Sequence, residues 1–509
     1  MTELTEFKVY DAIIVGSGPN GGCAAKMLTG AGLQVIVLEA GDRLPHPDFP
    51  GALRRFTRWQ PTTNRQPIQS QCHAWEKHPH AFVDDIDNPY TTPQDQPFYW
   101  IRSRQVGGRM SIRSNGRPIC RQFYRFSDYE FKAANRDGYG ENWPIEYAEL
   151  VPYYERVERW MGLTGTVEHI PNLPDSLFQS SRTMTYSEQL LKSAVELNWK
   201  DRHVTIKRTA LPASTLPSAL KTGRLRLRSN AIVSHVIIDY KTGKAKGVAF
   251  VDRLTHKSYE VFGHIIVLCA STVESTRLLL NSATPQHPAG LGNSSGLLGH
   301  FLMDHTMSHT IVCTVPMPQQ VEVNKKFTGD AWLYIPQFRN VTEHHPNFIR
   351  GYGIQVGMFG SECNMIAFGE MLPRFDNYIS IDKDTKDKWG IPVAHIKCIH
   401  SDNEHKMADD MLESSEEIAQ SAGFEVLRTN QKLLTPGLAV HEVGTARMGN
   451  DPKKSVLNRF NQSWDVKNLF VTDGACFVSQ GYQNPTLTMM AITVRACDYI
   501  IDQYKQGNL

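Results

Sequence analysis

YDAIIVGSGPNGGCAAKMLTGAGLQVIVLEAG, residues 10–41, decides the fold. It reads as a strand, a glycine turn, a helix, a second strand and a terminal acid. Ala12 to Val15 is short and wholly apolar, as a parallel strand covered on both faces should be. Gly16, Gly18 and Gly21 follow in GxGxxG spacing and open a helix running to about Leu28. After Gly30–Gly32, the run Val35–Leu38 is the second strand, and Glu39 stands at its end. Parts in this order make a Rossmann-type unit. Gly16 permits the tight bend, Gly18 lets backbone approach a pyrophosphate, and Gly21 allows close helix packing. The helix start, with Asn20 in its first turn, offers unpaired N–H groups and partial positive charge to phosphates. Glu39 lies 18 residues past Gly21 (39 − 21), where an acid accepts from ribose hydroxyls. A ligand-free glycine turn would share the three glycines, but the full context favours an adenine dinucleotide. The motif alone leaves NAD and FAD open.

Outward from this unit, HIIVLCA (264–270) is a second fully apolar strand, and TVESTRLLLNSA leads from it into a helix. NAIVSHVIID and KGVAFVD read as a strand pair split by the turn Lys241–Gly243. WPIEYAELVPYYERVERWMGL spaces Tyr147, Leu150, Val151, Tyr154 and Val157 for an amphipathic helix. Residues 60–100 are polar and rich in proline, with no regular element expected. A loop that long is functional or mobile. After Asp304 the texture changes to strand-like runs (AWLYIPQF, NYISID), loops and one helix around 403–422. The expected organisation is a cofactor-binding domain from 1–304 and 431–509, with a second domain, 305–430, inserted.

The 509 residues exceed what one simple core holds, so two or more domains or subdomains are expected. A formal charge of +2 argues against a nucleic-acid or anionic-membrane partner. No apolar run approaches the roughly 18 residues that cross a bilayer. The nine cysteines are scattered, with no CxxC pair, which argues against a disulfide framework and for a reducing compartment. The first strand begins near Val9, leaving no room for a signal peptide before it, so a cytoplasmic location is expected.

The tail carries the chemistry. His441 lies in HEVGTARMGNDP and Asn484 in YQNPTLTMMAITVRA. A neutral imidazole suits removal of a hydroxyl proton, and a carboxamide suits fixing the same oxygen. Asn484 before Pro485 also fits a helix N-cap with Pro at the first helical position.

GSGPNGG, QVGGRMSIRSNG, GYGENWPIEYAELVPYYERVERWMGLTG, ASTVESTRLLLNS, GLGNSSGLLGHFLMDH, HEVGTARMG and NLFVTDGACF…NPTLTMMA resemble, in order, segments of the glucose–methanol–choline (GMC) oxidoreductases. The resemblance looks closest to the pyranose oxidase and bacterial C-glycoside 3-oxidase branch, with gluconate-dehydrogenase flavoproteins as near cousins. It implies an α/β fold: a Rossmann-type FAD-binding domain with an inserted α+β substrate domain built on an antiparallel sheet. It makes His441 the base and Asn484 its partner. Gly107, Gly108 and Arg109 would pass the flavin, and Ser114 and Asn115 would lie near its N5. Val236 would meet the adenine. Gly16, Gly18, Asn20, Gly21, Glu39, Ala270, Asp473 and Gly474 complete the expected FAD contacts, and Pro485 and Thr486 would start the helix aimed at the pyrimidine end. Ile112 stands where some pyranose oxidases carry a flavin-tethering histidine, so non-covalent FAD is expected. Ser271 replaces a glycine usual in the family.

The implied activity is oxidation of a secondary hydroxyl of a pyranose or glycoside, at C2 or C3, with electrons passing to oxygen or another acceptor. Three rivals stand beside it: a dehydrogenase subunit serving a cytochrome or quinone, an NAD-dependent dehydrogenase, and a non-catalytic scaffold. On the substrate side, residues 325–360 carry aromatics and amides suited to a polyol, with Gln337 and Gln355 as candidate contacts. A surface β-hairpin would explain the same stretch. His344, His345, His395, His400 and His405 lack the i, i+4 spacing with an acid that zinc helices use, so no metal is expected. His305 is expected to be structural.

Overall fold

The computed structural model describes residues 9–43, 62–72, 74–111, 113–114, 117–118, 122–210, 215–316 and 332–509. Within it, Tyr10–Val15, Pro19–Gly30 and Val35–Leu38 form the strand, helix and strand expected from residues 10–41. Four apolar residues in the first strand and all four in the second are buried, because Ala12, Ile14, Val35 and Val37 pack on the helices Pro19–Gly30 and Thr486–Lys505 while Ile13, Val15, Ile36 and Leu38 enter the main core.

Five parallel strands run Leu225–Arg228, Val35–Leu38, Tyr10–Val15, Ser258–Leu268 and Leu469–Val471 across this sheet. Numbered along the chain, that spatial order is 3-2-1-4-5, the doubly wound arrangement. The order reverses between Tyr10–Val15 and Ser258–Leu268, and ligands of such sheets sit at the carboxyl ends beside that reversal. Gly16, Cys269–Ser271 and Thr472–Gly474 all emerge there. The hairpin Ala231–Ile238/Ala245–Asp252 extends the sheet antiparallel through Ser258–Leu268.

A second sheet is wholly antiparallel, ordered Glu425–Thr429, Thr306–Thr314, Glu362–Gly369, Tyr352–Phe359, Trp332–Ile335 and Thr205–Ile206. Alternation divides its faces. Tyr352, Ile354, Val356 and Met358 pack with Cys363, Met365 and Ala367 against the helix Asp402–Ser421 in one core. Tyr334, Gly353, Gln355 and Phe368 therefore face the other way, towards the first sheet.

The two halves exchange segments. Leu191, Val195, Val204 and Ile206, which the sequence reading placed within 1–304, belong to the antiparallel sheet's core. Conversely Ile379, Ala394 and Ile396, from within 305–430, belong to the main core around the parallel sheet. The 60–100 loop contains only the short 3-10 turns Gln69–Gln71 and Pro79–Ala81 among its described residues. It is nonetheless tied down. The buried Gln66 amide donates to the carbonyls of Phe82 and Val83 at 3.1 and 2.8 Å, and that of Gln69 donates to Trp100 O at 2.9 Å.

Candidate active site

The glycine turn has the steric character its spacing predicts at Gly16 and Gly21, and open space at Gly18. Gly16 has φ 95°, and a Cβ there would lie 2.3 Å from the Cys269 carbonyl oxygen. At Gly21 a Cβ would lie 2.0 Å from Gly16 O, so the helix packs on the turn. A Cβ at Gly18 would meet nothing within 4 Å, which leaves room for a ligand to approach the backbone. The helix behind it has no side-chain cap, so its first N–H groups are left for an anion. The second glycine loop closes over this turn: Gly107 N–H donates to Ser17 Oγ at 3.0 Å.

Glu39 ends the second strand and is buried. It accepts from Ser17 N–H at 3.0 Å, Ser17 Oγ at 2.6 Å and Gly41 N–H at 2.8 Å. A carboxylate has about four acceptor positions, so one remains for a ribose hydroxyl. Burial raises its pKa against those hydrogen bonds. Asp473 is likewise buried, receives Ala475 N–H at 3.0 Å and the Ser275 hydroxyl, and is pushed up to about 6 by burial. Ala270 N–H reaches the same Ser275 hydroxyl at 3.2 Å. Gly474 is wedged in place: a Cβ would come 2.6 Å from Thr272 Oγ1.

Three residues expected at the cofactor also make hydrogen bonds within the protein. The Asn20 amide donates to Thr472 O at 2.6 Å and Thr493 Oγ1 at 3.0 Å, stitching the first helix to the tail. Val236 N–H is taken by Ser282 Oγ at 2.9 Å, leaving only its carbonyl. Arg109 reaches over the tail, donating to Val440 O at 3.1 Å and facing Glu442 Oε2 at 3.5 Å. Asn115 and Ile112 lie outside the described residues, as does the side chain of Ser114.

In the tail, His441 and Asn484 meet: Asn484 Nδ2 is 3.1 Å from His441 Nε2. Asn484 is therefore not the helix cap. Pro485 takes the cap position, and the helix Thr486–Lys505 begins without a side-chain cap. Its first N–H groups have no partner in their own helix and sit at the positive end of the dipole. On its other side, His441 Nδ1 is 2.9 Å from His305 Nδ1, with the rings edge to face at 4.9 Å. His305, expected to be structural, is thus in direct contact with the candidate base. Its Nε2 is 3.0 Å from Gly481 O. Gln480 Nε2 donates to His441 O at 3.0 Å and approaches His305 Nδ1 at 3.2 Å.

The backbone beneath the imidazole is clamped. Asp304 accepts His441 N–H at 2.9 Å and Gly437 N–H at 2.7 Å. Between those anchors Val440 is held at φ 58°, a left-handed conformation that β-branched residues rarely adopt. Burial and the Glu442 carboxylate push Asp304 up to about 7. Burial, then His305 and Arg109, holds the His441 pKa well below its usual 6.5. Burial lowers His305 to about 3. Both rings are neutral at pH 7.

The antiparallel sheet roofs the pair through Phe368, whose ring centroid is 6.1 Å from His441 and 6.0 Å from His305. Gln355 lies on that face but is engaged by the Gln122 amide. Gln337 lies over Gly351 at the start of the strand Tyr352–Phe359, where a Cβ would come 2.4 Å from its side-chain carbon. Its amide donates to Arg339 O at 2.8 Å within its own loop. Among the described residues, no His, Cys, Asp and Glu cluster could hold a metal ion, and no helix is long and apolar enough to cross a membrane. The cysteines at described positions are free thiols.

Comparison with known proteins adds to this geometry. Family models described as GMC oxidoreductase match residues 11–307 and 373–493. A 2-methyl-1,2-propanediol dehydrogenase of Mycolicibacterium austroafricanum is 30% identical over 96% of this chain and 95% of its own. A fructose dehydrogenase large subunit of Gluconobacter japonicus is 25% identical over 98% of each. A C-glycoside 3-oxidase of Arthrobacter globiformis is 29% identical over 25% of each, so the branch expected from sequence is among the relatives over part of the chain. The crystal structure of pyridoxine 4-oxidase from Mesorbium loti superposes with a TM-score of 0.66 at 16% identity, covering 97% of this chain and 99% of that one.

Proposed function

The chain belongs to the GMC oxidoreductase family, and from that premise we propose that it oxidises a secondary hydroxyl of a pyranose or glycoside, at C2 or C3, to a keto-sugar. The family binds FAD and acts on CH–OH groups of alcohols and sugars. The observation that carries the proposal is the His441–Asn484 pair at 3.1 Å. One substrate oxygen about 2.8 Å from both nitrogens would donate its proton to His441 Nε2 while accepting from the Asn484 amide.

FAD, when bound, supplies the acceptor for the hydride that leaves the same carbon. The Gly16–Gly21 turn and its helix would hold the pyrophosphate, and Glu39 the adenosine ribose. The uncapped start at Thr486 would lie against the pyrimidine end of the ring. A neutral His441 can take the alcohol proton only as the C–H bond breaks, since an alcohol is far too weak an acid to lose it first. Asn484 fixes the oxygen so that the C–H faces the acceptor. Phe368 covers one side of the imidazole, which stays partly open towards the substrate side.

A sugar substrate is supported by the fructose dehydrogenase and C-glycoside 3-oxidase relatives. We propose oxygen or another acceptor as the electron outlet. The test is a panel of D-glucose, methyl β-D-glucoside and an aryl C-glucoside, with anaerobic flavin bleaching, peroxide release in air and product NMR. We expect a keto-sugar from at least one member. His441→Ala should slow flavin reduction by about 10²- to 10⁴-fold. A variant bleaching as fast as wild type would sink the mechanism.

A further inference from the structure

We propose that His305 is a positioning residue that decides which nitrogen of His441 carries the proton, and that the Gly481 carbonyl sets the decision. The inference rests on the reading of His441 as the base and adds how that base is kept ready.

A neutral imidazole has one N–H and one bare nitrogen. The Gly481 carbonyl can only accept, so the His305 Nε2 at 3.0 Å from it must hold the proton. His305 Nδ1 is then an acceptor. The orientation of the Gln480 amide agrees: its nitrogen lies 3.0 Å from the His441 carbonyl, which only a donor can face, and that same NH₂ points at His305 Nδ1. The second neighbour of His305 Nδ1 is His441 Nδ1 at 2.9 Å, which must therefore be an N–H. His441 Nε2 is left bare, facing the Asn484 amide that donates to it. The base is in its working tautomer before any substrate arrives. Without the chain of bonds, His441 could protonate Nε2 and present a donor where an acceptor is needed.

The carbonyl that starts the chain is itself fixed. Gly481 has φ 67°, and a Cβ there would lie 2.9 Å from Gln483 Oε1 and from Glu130 Cγ. Its N–H is bound by the buried Glu370 carboxyl, which is paired with Arg350 at 3.2 Å. Arg350 in turn pairs with Asp137. Gly481 is held at its N–H by an ion-pair network, and its carbonyl faces His305 Nε2. His305 is buried with both ring nitrogens engaged inside the protein, so it acts through His441.

The experiment has two arms. First, ¹⁵N NMR of the flavin-loaded protein labelled at histidine, with the His441 signals identified by their loss in His441→Gln, should show Nδ1–H and a bare Nε2 in wild type. A proton on Nε2 overturns the proposal, and this arm needs no substrate. Second, stopped-flow flavin reduction by the fastest sugar of the panel compares two substitutions. His305→Leu, which offers no acceptor, should slow reduction by about 100-fold with KM little changed. His305→Asn, whose Oδ1 stands where Nδ1 stood, should recover most of that loss. Equal slowing in both, or in neither, overturns the proposal. If His305→Leu fails to fold, the wild-type tautomer decides alone. A wild type that bleaches with no alcohol sinks the oxidation reading instead and leaves the first arm intact.

Discussion

At the scale of single residues, the site is defined by where protons are allowed to sit. His441 is desolvated, next to a second imidazole and near the Arg109 guanidinium, and all three disfavour its charged form. The sign of the consequence is definite. A base works while neutral, and a lowered pKa moves its loss towards acid. The kcat/KM for sugar oxidation should therefore stay level from pH 8 down through 6.5, with the acid limb appearing only well below 6.5. An acid limb at or above 6.5 that disappears in His441→Ala would contradict the burial argument. The same residues show what a sequence conveys and what it conceals. His441 and Asn484 were legible because GTARMG and NPTLT surround them. His305 was not, since its meaning lies in a contact 136 residues away along the chain. An LMDH segment looks like any strand entry. Gln337 turns its amide to the backbone of its own loop, as polar side chains in tight turns readily do, and sequence spacing gives no sign of that.

At the scale of elements, residues 10–41 were readable because every signal in them is local: strand apolarity, turn glycines, helix start and terminal acid. The three glycines make a test that separates ligand from fold. Gly21 abuts Gly16 O, so Gly21→Ala should overpack the turn and cost about 1–3 kcal/mol of stability with or without FAD. Gly18 has φ −62° and open space where a Cβ would go, so Gly18→Ala should leave the melting temperature of the apoprotein unchanged. It should instead weaken FAD by about tenfold or more, because the methyl would occupy the pyrophosphate's approach, and tenfold is about 1.4 kcal/mol. Flavin-fluorescence titration against circular-dichroism melting distinguishes the two. If Gly18→Ala retained FAD as tightly as wild type, no phosphate would lie over that turn. The Asn484–Pro485 start of the last helix shows the limit of element-level reading. Asn-Pro-Thr predicts a capped helix, yet tertiary geometry draws the amide to His441 and leaves the helix start uncapped.

At the scale of the whole molecule, the division into 1–304, 305–430 and 431–509 follows sequence texture, whereas packing follows which apolar faces meet. Amphipathic periodicity in the helix Tyr186–Asn198 says that one face is buried but not against which sheet. It packs beside Asp402–Ser421, and Thr205–Ile206 adds the edge strand next to Trp332–Ile335. The hairpin Tyr378–Lys386/Pro392–Lys397 goes the other way. Arg277 from the main core's helix Thr272–Asn281 ties it down through Asp387 at 2.8 Å and the Pro392 carbonyl at 2.8 Å. An inserted domain with a private core can unfold by itself. Cores that trade segments cannot, since losing either exposes apolar faces and buried charges of the other. We expect a single cooperative calorimetric transition for the apoprotein, followed equally by near-ultraviolet circular dichroism and tryptophan fluorescence. Residues 305–430 expressed alone should fail to fold, because they lack Leu191, Val195, Val204 and Ile206. Adding residues 186–206 in trans should still leave Ile379, Ala394 and Ile396 without their core. Two separated transitions, or a soluble 305–430 fragment with native-like dispersion, would show that the exchanged segments contribute little and that the sequence boundaries describe the folding units after all.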